Sequence, residues 1–281
     1  ISDKRDGHDF VANAFQKGAS AAIVSRVPPQ VASNKPLLIV EDVKLALNSL
    51  AVYARSRFNG KVIAITGSVG KTSSKDMLAL SLSHFGKVSK AEKSFNNHLG
   101  VPLTLARTHP ETEFLIVEIG MSNRHEIAPL SLIASPNIAM ITDVSEAHLK
   151  SLNNVDEIAK EKADICVGLP KGGYCLVSRD VRKYSSLLKY VEDYGIKAIS
   201  YGEKAGSMHK LTRTCIKNNQ TCAAAVLKNG SEFFFKINSS GSHHAKNALG
   251  VVGILDALGI DVAQGIFKLA EWVPGSGRGY V

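Results

Sequence analysis

Short, continuously apolar runs recur along the chain, separated by longer stretches of helical period. Residues 21–24, 37–40, 62–66, 114–118, 138–142 and 174–178 read as strands. The intervening 73–85 and 155–167 read as amphipathic helices. This alternation predicts βαβ units, so the expected class is α/β with a mostly parallel sheet flanked by helices. The run FLIV at 114–117 fits a parallel strand buried on both faces.

Two departures from the alternation mark boundaries. Residues 43–58 keep a helical period, carry Arg55 and Arg57 in the last turn and run into Asn59-Gly60, a plausible stop. This predicts a small α/β piece over residues 1–58 and a larger domain over 59–281. Further on, AAAVL (223–227), Lys228-Asn229-Gly230 and EFFFKI (232–237) predict a β-hairpin, and 244–258 returns to helix. The chain opens as if within a domain and stops at GSGRGYV, so it reads as a fragment.

Composition narrows the class. A 44% hydrophobic and 21% charged chain of 281 residues is ordinary for a soluble globular protein. No apolar run is long enough for a membrane span, and ISDKRDGHDF has no signal-peptide core. Cys166, Cys175, Cys215 and Cys222 show neither C-x-x-C nor zinc spacing. They read as reduced thiols, and a cytoplasmic protein is expected. The formal charge of +9 is scattered, with no Lys/Arg block. It suits anionic, phosphate-rich substrates, and no nucleic-acid partner is expected.

The chemistry centres on ITGSVGKTSSKDM at 65–77, an apolar strand, a tight loop and the start of a helix. The usual phosphate-loop pattern puts a glycine five residues before Gly70, where this chain has Ile65. Even so, strand–loop–helix is the context in which backbone amides and a helix N-terminus cradle phosphate. Lys71 would then reach the β/γ-phosphates and Thr72 would ligate Mg²⁺. Glu118 ends a strand where open sheets place ligands, and could hold that ion. His148 follows a later strand. Taken alone, Glu118 and His148 are equally a solvated strand end and a structural histidine, and Lys160 and Lys162 a solvated helix face.

The ordered set TGSVGKT, NNHLGVP (96–102), EIG (118–120), AHL (147–149), AKEKADI and GSHHAKN (241–247) resembles the Mur ligases. These are ATP-dependent, amide-forming enzymes of peptidoglycan precursor synthesis, whose phosphate loop is written T-G-x-x-G-K-[ST] without the earlier glycine. Along nearly the whole chain the resemblance is greatest to the member that adds D-Ala-D-Ala to UDP-MurNAc-tripeptide. It implies that Gly67, Ser68, Val69, Gly70, Lys71 and Thr72 hold the triphosphate. Thr72, Glu118, His148 and Lys162 would surround Mg²⁺, with Lys162 carried as a carbamate. His243 and Asn247 would lie at the adenine, and Arg278 near the phosphates. Lys71, His148, Lys162 and Arg278 are thus the implied catalytic set.

Two positions depart from the family pattern: His244 replaces the first asparagine of the adenine motif, and His125 replaces a glycine. The resemblance also implies a partial N-terminal UDP-substrate-binding domain over 1–58, a central ATP-binding domain over 59–281, and no C-terminal ligase domain. A monomer with little turnover on its own is expected. Two alternatives stay open: a related ligase adding another amino acid (MurE-like or folylpolyglutamate-synthase-like), and a nucleotide-binding module without ligase activity.

Overall fold

The computed structural model describes residues 6–146 and 154–275. A 3-10 turn at Gly7–Phe10 leads into α1 (Val11–Gln16). Strands β1 (Ala22–Val24) and β2 (Leu37–Ile39) then pair in parallel as a sheet of their own. Helix α2 (Val43–Ser56) follows, started by Asp42, whose carboxylate accepts from the amides of Lys44 and Leu45. Such a cap satisfies donors that the first helical turn cannot bond internally.

From there strands and helices alternate: β3 (Lys61–Thr66), α3 (Lys71–Leu82), β4 (Val88–Lys90), α4 (Gly100–Ala106), β5 (Phe114–Glu118) and α5 (Ile127–Ala134). Next come β6 (Ile138–Ile141), α6 (Val155–Ala163), β7 (Tyr174–Ser178), α7 (Tyr184–Asp193) and β8 (Lys197–Gly202). A meander of β9 (His209–Lys217), β10 (Gln220–Val226) and β11 (Glu232–Ile237) precedes α8 (Ser242–Ala257) and α9 (Val262–Phe267).

The large sheet runs β11-β10-β9-β8-β7-β6-β3-β5-β4. It is parallel from β4 through β9 and antiparallel across β9-β10-β11, so the expected mostly parallel sheet is observed. Its central strands alternate between two cores. On β3, Val62 and Ala64 face a cluster built with α2, α4, α5, α6 and α7, while Ile63 and Ile65 face one built with α3, α8 and α9. Ile65 is fully buried, so the residue standing in the place of the longer pattern's first glycine is a core strand residue.

Several expected elements sit close to their observed bounds. The stretch 155–167 divides, with α6 ending at Ala163 and a 3-10 turn continuing over Asp164–Gly168. The helix after the loop starts two residues earlier than its apolar period suggests, because Gly70 at φ 87° serves as N-cap. The hairpin closes as a three-residue loop, with Gly230 at φ 85° and its amide bonded to the Leu227 carbonyl. Helix α2 packs on α4 and α5. Its Arg55 donates to the carbonyls of Ala134 (2.9 Å) and Ser135 (2.8 Å) at the end of α5. No helix among the described residues is long and apolar enough to cross a membrane.

Candidate nucleotide-binding cleft

Strand order reverses around β3: the chain leaves it for the β5/β4 side and later returns on the β6 side. In an open α/β sheet this switch point leaves a crevice beyond the carboxyl ends of the strands. A cleft of about 660 Å³ opens there. Ser68, Val69, Gly70, Lys71, Thr72, Glu118, His243 and Asn247 all line it.

The loop between β3 and α3 is shaped by the segment after β6. The Ser68 amide donates to the Asp143 carbonyl (3.0 Å), and the Ser68 hydroxyl donates to the Ser145 carbonyl (3.1 Å) while accepting the Ser145 amide (3.0 Å). Thr142 Oγ1 donates to the Val69 carbonyl at 2.5 Å. Gly67 lies beneath at φ 149°, where an added Cβ would fall 1.9 Å from Thr142 Oγ1, so no side chain fits. The loop therefore keeps its shape without a glycine at Ile65. Lys71 Nζ lies over the loop, donating to the Gly67 carbonyl at 2.5 Å. The N-terminus of α3 adds its partial positive charge at the same place.

Thr72 and Glu118, 46 residues apart, meet directly: Thr72 Oγ1 donates to Glu118 Oε2 at 2.8 Å. Glu118, 1% exposed, also accepts Asn96 Nδ2 at 2.8 Å and stands 3.8 Å from Lys75 Nζ. Lys75 is fixed in turn by the carbonyls of Ala91 (2.9 Å) and Lys93 (2.5 Å). Gly120 is a packing requirement, since a Cβ there would come within 2.9 Å of the Asn96 amide group. Asn97 does a different job, capping α4 through the amides of Leu99 and Gly100.

The opposite wall is the start of α8. Asn247 packs on Gly70, its Oδ1 only 2.7 Å from where a Cβ would stand, so loop and helix fit closely. His244 is 2% exposed, with His243 at 3.9 Å and Trp272 edge-on at 4.9 Å between ring centroids. Neither of its ring nitrogens has a hydrogen-bond partner among the described residues. Burial, reinforced by His243, lowers its pKa to about 4.

Between pH 6.5 and 4 the folded state therefore holds a neutral imidazole while the unfolded chain holds a cation. The unfolded state binds more protons there, and stability falls as pH drops through that window. At about 1.4 kcal/mol per pH unit the loss amounts to about 3 kcal/mol. His244→Phe is expected to flatten this acid limb, read as the change in denaturation midpoint between about pH 7 and about pH 5. A limb as steep as in the parent chain would show that His244 is not its source.

Lys162 lies on α6, which starts from an Asn154 cap. It is 2% exposed and does not line the cleft. Desolvation, with the nearby Lys71 cation, lowers its pKa to about 7 against the opposing pull of Asp143 and Glu161. Glu161 is spent elsewhere, accepting the amides of His125 (2.8 Å), Glu126 (2.9 Å) and Ile127 (3.1 Å) at the start of α5. His125 stands at φ 63°, so the backbone keeps the left-handed form in which a glycine would be at ease. His148 and Arg278 lie outside the described residues.

Asn96, Asp143, Asp180 and Lys246, which also line the cleft, and Lys75 behind Glu118 were not singled out as individual residues by sequence reasoning. Lys75 follows Lys71 by one helical turn, and Asp143 follows a strand end, so both carried a readable signal. Asp143 Oδ2 is buried on the cleft wall with no hydrogen-bond partner among the described residues. Together with the Thr72 hydroxyl and the Glu118 carboxylate it offers hard oxygen donors, which fit Mg²⁺. Among the described residues no cluster of three or more His, Cys, Asp or Glu forms a closed metal cage.

The family model of the Mur ligase middle domain matches residues 65–255. The UDP-N-acetylmuramoyl-tripeptide–D-alanyl-D-alanine ligase of Rickettsia prowazekii is 34% identical, over all of this chain and 62% of its own length. A crystal structure of MurF from Acinetobacter baumannii superposes with a TM-score of 0.87 at 28% identity, over 99% of this chain and 60% of that one. MurF ligase from Thermotoga maritima, solved in complex with ADP, gives 0.83 at 26% identity, over 99% and 63%. The chain thus spans about three fifths of the length of these relatives. A family model that covers most of the chain and relatives that match along nearly its whole length lead to one conclusion: the chain belongs to the Mur ligase family, with the middle domain at residues 65–255.

Proposed function

We propose that this chain carries the nucleotide centre of an ATP-dependent ligase that joins D-Ala-D-Ala to UDP-MurNAc-tripeptide in the cytoplasm. Residues 1–58 belong to a UDP-substrate-binding domain and 59–281 to the ATP-binding domain. The observation that carries the reading is the Thr72–Glu118 contact of 2.8 Å beside the Lys71 loop. The Rickettsia prowazekii relative's name supplies the substrate, and the ADP complex of the Thermotoga maritima protein supports the nucleotide.

In this reading the terminal carboxylate of the tripeptide attacks the γ-phosphorus of ATP. The bond to the bridging oxygen breaks, ADP departs, and an acyl phosphate remains. The amine of D-Ala-D-Ala then adds to that carbonyl and loses a proton, and inorganic phosphate leaves. The loop amides and Lys71 hold the phosphates in line, and Asn247 and His243 border the nucleotide from α8. Catalysis is chiefly positioning and charge neutralisation. Mg²⁺ held by Thr72 and Glu118 would neutralise phosphate charge. Lys162 as a neutral amine can add to CO₂ with loss of one proton, and the anionic carbamate would answer the Lys71 cation.

The test is a ligation assay on the chain completed to the length of its relatives, supplied with ATP and UDP-MurNAc-tripeptide. D-Ala-D-Ala is expected to drive ADP release and amide formation at least about tenfold faster than any single amino acid. Preference for a single amino acid would move the protein to another branch of the family. Nucleotide binding without any amide product would make it a binding module.

A further inference from the structure

We propose that Cys215 and Cys222 form a reversible dithiol–disulfide pair, oxidised by low-molecular-weight anionic disulfides. The two residues are direct cross-strand partners on the antiparallel β9 and β10. Both are exposed free thiols, and both line one groove on the outer face of the meander.

Their register is fixed from two sides. Asn218 and Asn219, at φ 51° and 58°, form the two-residue turn that closes the strands. Two successive positive φ values mark the hairpin turn whose twist matches the strands. On the opposite face Thr221 is fully buried, with its hydroxyl donating to the Ser239 carbonyl (2.7 Å) and accepting the Gly241 amide (3.1 Å). A slip of β10 would break both bonds, so the cysteines stay opposite one another.

Directly opposed side chains have Cβ atoms about 4.5–5.5 Å apart, and a disulfide needs about 3.5–4.5 Å. A small inward shift of a solvent-facing hairpin closes that gap. The resulting bond is slightly strained and so easily reduced. Lys236 is the β11 partner of Cys222, and Arg213 lies two residues before Cys215 on the same groove. This cationic rim favours approach of an anionic disulfide such as oxidised glutathione. Cys166 and Cys175 are buried and serve as internal controls.

The chemistry balances as two exchanges. One cysteine thiolate attacks a sulfur of oxidised glutathione, breaking its S–S bond and releasing one glutathione thiolate. The second cysteine thiolate attacks the protein-side sulfur of the mixed disulfide and releases the second. The protein dithiol is oxidised, the small disulfide is reduced, and the two thiol protons end on the released glutathione. Ring closure is intramolecular and should outrun accumulation of the mixed disulfide.

The folded protein would be incubated with oxidised glutathione, quenched by alkylation and mapped by peptide mass. The expected product is a Cys215–Cys222 link with the loss of two hydrogens, reopened by dithiothreitol. Cys215→Ser and Cys222→Ser should each retain bound glutathione, at least about tenfold more than the parent chain. Equal retention in the parent chain, disulfide-linked dimers, or no reaction at either thiol would each overturn the assignment.

Discussion

Lys71→Ala is expected to weaken Mg-ATP binding by at least about a hundredfold while leaving the fold intact. The lysine sits at the mouth of the loop, 2.5 Å from the Gly67 carbonyl, on the first turn of α3. A charge-assisted hydrogen bond contributes about 1.5–3 kcal/mol, and a terminal phosphate offers its ammonium more than one acceptor. A total near 3 kcal/mol is about a hundredfold in affinity. The fold should tolerate the change because the loop is held by Ser68, Thr142 and Ser145 rather than by Lys71. Calorimetric titration gives the affinity, and an unchanged thermal midpoint shows that structure is kept. Affinity equal to that of the parent chain would remove the phosphate-loop assignment.

Lys162 is expected to split function from stability. In the completed chain, Lys162→Ala should lower ligation at least about a hundredfold, and small carboxylates added to the assay should partly restore it. Stability should move the other way. The folded-state pKa of about 7 lies below the 10.5 of a free lysine. Between those values the unfolded chain holds an extra proton, so stability rises with pH across the window and is lowest below pH 7. Lys162→Met removes the buried ammonium and should be more stable near neutrality by a few kcal/mol, without the alkaline rise. Activity and rescue are the readouts that a merely structural lysine would not move. Wild-type ligation by Lys162→Ala would exclude it from the site.

Much of this site was legible because its parts sit at strand ends. The strands at 62–66 and 114–118 are continuous apolar runs, and the residues that follow or close them inherit a known position in an open α/β sheet. The loop was legible from spacing, and the structure supplies the reason that Ile65 is harmless: it is a core residue of β3, not part of the turn. Less legible were contacts whose partners are distant in sequence. Asn96 and Asn97 are identical side by side, yet one orients Glu118 and the other caps a helix.

The meander was read only in part. In β9 only His209 and Leu211 are buried, among Lys, Thr and Arg, so its polar composition hides a strand that is half solvent-facing. The short β4 at the sheet edge has no apolar run to announce it. The low pKa of Lys162 was likewise invisible, because AKEKADI reads as a charged helix face until the fold buries it.

The measurement that bears most directly on the central claim is a calorimetric series on this chain with ATP, ADP and AMP, each with and without Mg²⁺. If the cleft is a phosphate cradle with Thr72 and Glu118 at the metal, ATP and ADP should bind well only with Mg²⁺. AMP, which leaves the loop unfilled, should bind at least about tenfold more weakly. Equal affinity for all three nucleotides, or indifference to Mg²⁺, would contradict the account.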